Sequence, residues 1–445
     1  MNEQEVIVFK FLIDLLKDAA ILVSLFTMFG NIIQKKNIND IITSTVKTYL
    51  GFVILFASAN LLISPSLNNF SKIFLTAFHV QGIVPNNEVV IVVAMEKLGQ
   101  IYSSAIAVGL IGAMLFNIIL ARVTPLKYIV LSGHHVFFMV SCLTIIAMLH
   151  GISVSNSAIL ATFITGIWCV ISPALLVRYC RQIDNCDELR KSGDFSIGQF
   201  GSTSYMLAGW LGEKLGNKAN DAEKLAIPTS IGFLKDKQVS TFFVMLLFFV
   251  VSALVAGADH VQLIADAGNK DSSHTNIFLF LLKQAGLFAA GVYMLTRGVH
   301  MFIEELIPAF KGISDKVIKK SIPAIEIYSL FPYSNNAVFI GFICCTISGF
   351  LTMILLPVFG YPAMVPSLLF TFASGGGAGI IGNATGGIRG AVIGAVACGI
   401  ISIAGSAFIF QPIHDAGVDA PTTYSTTDFT LLGLSLHSAL SLLHR

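Results

Sequence analysis

Nine stretches of this chain are apolar over lengths that match a bilayer: residues 19–33, 41–64, 101–120, 128–150, 158–179, 239–257, 277–296, 337–358 and 386–410. A helix needs roughly 20 mostly apolar residues to cross the hydrocarbon core. Backbone that enters that core must satisfy its own hydrogen bonds, so the blocks predict helices. Shorter apolar segments lie at 88–94, 362–373 and 431–443. Together they predict an all-α polytopic membrane protein with about ten or eleven transmembrane helices, some broken or re-entrant. The last segment, 431–443, is too short to cross a core of about 30 Å untilted and predicts a half-span.

Composition leaves no room for a large soluble domain. Hydrophobic residues make up 55% of the 445 and charged residues 12%, against about 25% charged in soluble domains. Mean hydropathy is +0.80. A net charge of +2 gives no basic face for nucleic acid. The seven cysteines have no metal-ligand spacing, and most sit in apolar blocks, where a thiol behaves as a small hydrophobe. The N-terminus carries Glu3, Glu5, Lys10, Asp14, Lys17 and Asp18. It lacks the order of a cleavable signal, and 6–17 reads as an amphipathic interfacial helix.

Lysine and arginine favour the cytoplasmic side. They crowd alternate loops: Lys35 and Lys36; Arg122 and Lys127; Arg178 through Lys237; Arg297 through Lys320. The intervening loops are nearly free of them. This predicts a multi-pass membrane protein with its N-terminus outside. The polar stretch 181–238 separates a first membrane half, 1–180, from a second, 239–445. Within it, STSYMLAGWLGEKL (Ser202–Leu215) predicts a helix on the membrane surface. Pro85-Asn86-Asn87-Glu88-Val89 and Ser334-Asn335-Asn336-Ala337-Val338 suggest an inverted repeat of the two halves, each Asn pair capping its own helix. Two unrelated caps read equally well.

Ionisable residues within spans are costly and point to function. His134 and His135 lie in LSGHHVFF, inside an apolar run. Neutral imidazole both donates to and accepts from hydroxyls, as a sugar or polyol site requires. The bland alternative is a histidine satisfied by a backbone carbonyl. Glu326 lies between Pro323 and Pro332, before Asn335 and Asn336, a pattern for a broken helix lining a cavity. Its bland alternative is an ion pair with Lys319 or Lys320. Glu304 and Glu305, near Arg297 and His300, read as a charge network at a span end. The glycine-dense run from Gly375 to Gly390 lacks the Gly-Lys-Ser/Thr ending of a phosphate loop and predicts close packing or a tight hairpin. No catalytic constellation, cofactor motif or metal motif is evident.

Several of these stretches, in order along the chain, resemble the membrane component (enzyme IIC) of the ascorbate-type phosphotransferase permeases. They are Lys47–Gly51, LSGH at 131–134, FSIG at 195–198, 223–228, GVHMFIEEL at 298–306 with AFKGIS at 309–314, Ala-Ile-Glu at 324–326 leading to Asn336-Ala337-Val338, and GGIRG at 386–390. The resemblance implies a homodimer, each protomer having a substrate-holding core domain and a V-shaped domain. The core moves rigidly and carries ascorbate or a related sugar or polyol inward. Separate enzyme IIB and IIA proteins supply the phosphoryl group, so this chain is itself no enzyme. Carried over residue by residue, the family's substrate-contacting histidine falls on His134, beside His135. A glutamine contact falls on Phe138, a Thr-Tyr pair on Asn87 and Glu88, a His-Gln pair on Gln199 and Phe200, and an acid on Glu326. The extra carboxylate of Glu88 sits poorly with an anionic ligand, which keeps a neutral sugar or polyol open. A second function, an ion-gradient-driven secondary sugar transporter with Glu88 or Glu326 as coupling carboxylate, also fits the residues. A membrane receptor that binds sugar without moving it is the third.

Overall fold

The computed structural model describes residues 19–443 except 79–82, 84, 86, 185, 192, 226–236, 268–274, 317, 319–320, 367–369 and 420–421. The expected interfacial helix at 6–17 and the side chain of Glu88 lie outside the described residues, as do Lys319 and Lys320.

Helices α1 (Ala19–Ile33) and α2 (Ile38–Ala57) lead through a π-helical turn (Ser58–Ile63) into α3 (Ser64–Phe78). Next come α4 (Asn87–Val123), kinked at Gly99, strand β1 (Tyr128–Val130), α5 (Gly133–Leu149) and α6 (Val154–Cys180). The polar stretch supplies β2 (Ser196–Ile197) and α7 (Ser202–Leu215). The second half holds α8 (Lys237–Ala256), α9 (Ala258–Ala267), α10 (Ile277–Lys316), β3 (Ile322–Ile325), α11 (Asn335–Leu355), α12 (Gly376–Asp415) and α13 (Thr427–Leu443).

Among the described residues, five helical stretches are long and apolar enough to cross a membrane, or six if α8 and α9, bent by 120° at Gly257, make one span. Fewer simple spans result than apolar blocks because several blocks fold as short pieces. The block at 19–33 is a 15-residue helix, and α5 and α13 have 17 residues each, about 26 Å at 1.5 Å per residue.

The longest apolar stretch, Thr371–Asp415, is a hairpin. Gly386 and Gly387 leave helical geometry inside α12. Eight residues apart, Gly382 and Gly390 would be about 12 Å apart along a straight helix. Instead, a Cβ on Gly382 would lie 2.4 Å from the Gly390 carbonyl oxygen, so the two arms fold back on each other. Gly387 has φ of 60°, a conformation that glycine takes without the penalty of a Cβ. The outer faces of the arms are small as well. Gly379 meets Gly341 of α11, and Gly394 meets Ala208 of α7. Small residues let helix backbones approach closely in a membrane.

Two sequence expectations need correcting. Helix α7 keeps its predicted bounds and exposes Trp210 and Leu215, but its opposite face packs inside the protein. Its Ser202, Ser204, Tyr205, Ala208, Gly209 and Gly212 are buried, with Gly212 against Thr385 and Gly386 of the α12 hairpin. Its polar-looking face is a small-residue packing face. Asn86 lies outside the described residues, and the hydrogen bonds described for Asn87 and Asn336 go elsewhere than to their own helix starts. Asn336 Nδ2 donates to the Ala222 carbonyl (3.0 Å), and Asn87 Oδ1 accepts from the Ser425 amide (3.0 Å). The first turn of α11 is instead met from the polar stretch, where Glu223 Oε1 accepts from the Ala337 amide (2.9 Å). A helix start packed inside a protein can be satisfied by any nearby acceptor. Glu305 pairs with Lys47 (3.1 Å) and accepts from Ser44 Oγ (2.7 Å), while Arg297 turns to the Tyr293 hydroxyl.

Candidate functional site

Three short strands from three distant parts of the chain form one parallel sheet in the order β1-β3-β2. Tyr128–Val130 pairs in register with Ile322–Ala324, and Ser196–Ile197 with Ala324–Ile325. The pairing continues past the strand ends. The Leu131 amide donates to the Ala324 carbonyl (3.0 Å) and the Gly198 amide to the Ile325 carbonyl (2.8 Å). A Cβ at Gly198 would sit 2.6 Å from the Ala324 carbonyl oxygen, so the glycine of FSIG is what lets this strand end close up. In a parallel sheet the strands finish on the same edge, where open α/β proteins characteristically bind their ligands. Here that edge leads directly into Gly133-His134-His135, into Gln199-Phe200 and into Glu326.

The residues following the three strands converge. His134 Nδ1 lies 3.7 Å from Glu326 Oε1. The rings of His134 and His135 are 4.3 Å apart, and Phe138 stands edge-on to both, at 5.8 and 6.1 Å. Phe200 (6.0 Å) and Phe429 of α13 (6.4 Å) close the far side of His135. The cluster is deeply set but open on one side: His135 is 6% exposed and Glu326 4%, while the side chain of His134 reaches 23%. His135 Nδ1, Glu326 Oε1, Gln199 Oε1 and Ser132 Oγ are buried without a hydrogen-bond partner. Buried polar atoms in native proteins are nearly always satisfied. Four unsatisfied ones, on or beside a single sheet edge, mark a place built to meet something else. Ser132 makes no side-chain cap bond to α5, so the first amides of that helix add further donors at the same edge.

Of the eight residues singled out from sequence, the structure gathers His134, His135, Phe138, Phe200 and Glu326 in direct contact, with Gln199 on the same strand end. Asn87 stands one step away. It holds Ser425, in the segment that carries Tyr424 and Phe429, and those two rings are 5.4 Å apart. Sequence reasoning missed Asp428. Fully buried, it accepts from the Ser202 amide (3.2 Å) and hydroxyl, the Thr203 amide and hydroxyl (both 2.8 Å) and Trp168 Nε1 (2.9 Å). It thereby fastens the start of α7, just after Gln199-Phe200, to the start of α13, beside Phe429. The available signal was a lone carboxylate after a run of Thr and Ser at an apolar boundary. A separate groove of about 740 Å³, between α4 and α6 and lined by Gln100, Ala105, Gly109, Ala158 and Phe163, contains none of the clustered residues.

Comparison with known proteins places this architecture. The profile of the family described as PTS system sugar-specific permease component (EIIC-GAT) matches residues 14–428. The ascorbate-specific PTS system EIIC component of Mycoplasma pneumoniae (strain ATCC 29342 / M129) is 24% identical over 444 residues, covering 91% of this chain and 67% of that protein. With a helical, multi-span fold and a family profile that runs over nearly its whole length, the chain belongs to the sugar-specific permease components of the phosphotransferase system.

Proposed function

We propose that this protein is the enzyme IIC permease that binds ascorbate or a related sugar or polyol at the strand-end cluster and carries it inward. Separate IIB and IIA proteins phosphorylate the sugar and make transport one-way. The protein works as a homodimer in a bacterial inner membrane. The observation that carries this reading is the convergence of His134, Gln199 and Glu326 from three separate strands onto one buried edge. Two imidazoles, an amide and a carboxylate supply the mixed donors and acceptors that vicinal hydroxyls need. The aromatic rings of Phe138, Phe200 and Phe429 give the apolar walls typical of small-molecule sites. His135 and Glu326 are buried behind the partly exposed His134, so a sugar reaches both only when the surrounding elements move, as alternating access requires.

The test is a thermal-shift and binding screen of the purified protein against ascorbate, pentoses, hexoses and their polyols, since a ligand selective for the native state raises its apparent stability. His134→Ala and Glu326→Ala each remove a hydrogen bond worth about 0.5–1.5 kcal/mol, more for the charged group, and should weaken binding several-fold. Normal binding in both folded variants would discard the site. A second reading, an ion-driven secondary transporter with Glu326 as the coupling carboxylate, draws on the burial of that group beside His134. Sugar uptake into proteoliposomes driven by a proton gradient, with no phosphoryl donor present, would favour that reading.

A further inference from the structure

We infer that His134, His135 and Glu326 form a binding site for a divalent cation of the Zn2+ class, and that this cation competes with the sugar. One ligand atom from each residue lies within 4.8 Å of the others, and His134 Nδ1 and Glu326 Oε1 are already 3.7 Å apart. Donors about 2.0–2.2 Å from a tetrahedral zinc stand about 3.3–3.6 Å from one another, so small side-chain rotations complete the shell. This is a change from the sequence, in which no metal motif was evident. Adjacent histidines and a glutamate some 190 residues away show no ligand spacing, because the sheet and not the sequence brings them together.

A second, independent observation points to a cation. His135 and Glu326 are more than nine-tenths buried, and His135 Nδ1 and Glu326 Oε1 have no hydrogen-bond partner. A buried carboxylate oxygen without a donor is expensive, and a bound cation removes that cost. Two imidazoles and one carboxylate are the donor set of zinc sites that keep an open position. Magnesium and calcium prefer all-oxygen shells. The partly exposed side of His134 leaves room for water as a fourth ligand. The cation site rests on the geometry of the cluster alone, and the competition rests in addition on the sugar-site reading above.

The experiment uses the full chain in detergent, stripped with a chelator and titrated with ZnCl2 by calorimetry. X-ray absorption is then recorded on the loaded protein. Expected are stoichiometric binding and a shell of nitrogen and oxygen donors at about 2.0–2.2 Å. His135→Ala and Glu326→Gln should each lower zinc affinity by about tenfold or more, since even outer-shell changes cost 10–100-fold. His150→Ala, in the separate His150–His437 pair (3.0 Å), should leave it unchanged. Should His135→Ala fail to fold, the near-isosteric Glu326→Gln carries the test. Absence of binding, a sulfur-containing shell, or full affinity in the folded variants would overturn the site. Sugar binding is measured separately in chelator and with rising zinc. Apparent sugar affinity that falls with zinc supports competition, and sugar affinity indifferent to bound zinc refutes it. Sugar binding in chelator without any zinc binding sinks the cation site and leaves the sugar site standing.

Discussion

Asp428 shows at the scale of one residue how the site is held. Five donors from α6 and α7 end on this fully buried carboxylate. Hydrogen bonds to charged groups contribute about 1.5–3 kcal/mol each and are not additive. Asp428→Ala should therefore cost more than about 3 kcal/mol, whereas Trp168→Phe, which removes one donor, should cost about 1.5–3 kcal/mol. Thermal unfolding in detergent measures both, and near-equal melting temperatures for Asp428→Ala and wild type would refute the anchoring role. His134 and Glu326 were legible in the sequence because an ionisable group in an apolar run is conspicuous by its cost. Asp428 was not, because it sits at the margin of the last apolar segment, where a carboxylate looks solvated. Its donors, Trp168, Ser202 and Thr203, lie more than 220 positions away and carry no mark of a common partner.

The α12 hairpin is the element whose sequence says most about its shape. Glycine density predicted close packing or a tight hairpin, and the structure has both. A Cβ on Gly387 would stand 2.3 Å from the Asn217 carbonyl oxygen and 2.4 Å from that of Asn220, in addition to the left-handed φ. Gly387→Ala should thus cost well above the roughly 1–2 kcal/mol of the backbone conformation alone. Gly151→Ala, also at positive φ but with nothing within 4 Å of the new methyl, isolates that backbone cost. Equal melting temperatures for the two variants would mean that the polar stretch yields freely at the turn. The same stretch explains where the reading of elements failed. Helix α7 and the segment 217–224 look like solvated linker in composition. Yet they fill the groove of the hairpin, because Ser, Gly and Ala count as weakly hydrophobic while they permit the closest helix contacts.

At the scale of the whole molecule, α1, α2, α3, α8, α9 and α10 pack mainly on one another, and α4–α7 with α11–α13 and the sheet form a second group. Aromatic rings line the seam: Phe74 of α3 stacks on Phe350 of α11 (4.0 Å), and Phe288 of α10 meets Phe342 (6.2 Å) and Phe372 (5.8 Å). These rings are apolar, and the inward carriage proposed above would have the two groups slide along the seam. Joining Phe74→Cys to Phe350→Cys with a short bifunctional thiol reagent should stop sugar uptake in proteoliposomes while binding in detergent survives. Undiminished uptake after full crosslinking would show that the seam stays fixed during transport. That the chain spans a membrane was legible from block lengths, but the number of simple spans was not, since an apolar run fits a half-span or a hairpin arm as well as a crossing. The strand order β1-β3-β2 also imposes a timetable on biosynthesis. The outer strands, ending at Val130 and Ile197, leave the ribosome long before Ile322–Ile325, their shared partner. Until that central strand arrives, neither outer strand has its sheet partner. A nascent chain halted before residue 322 would therefore hold His134 and Gln199 but not Glu326, so the proposed ligand site is among the last features of the molecule to come into being.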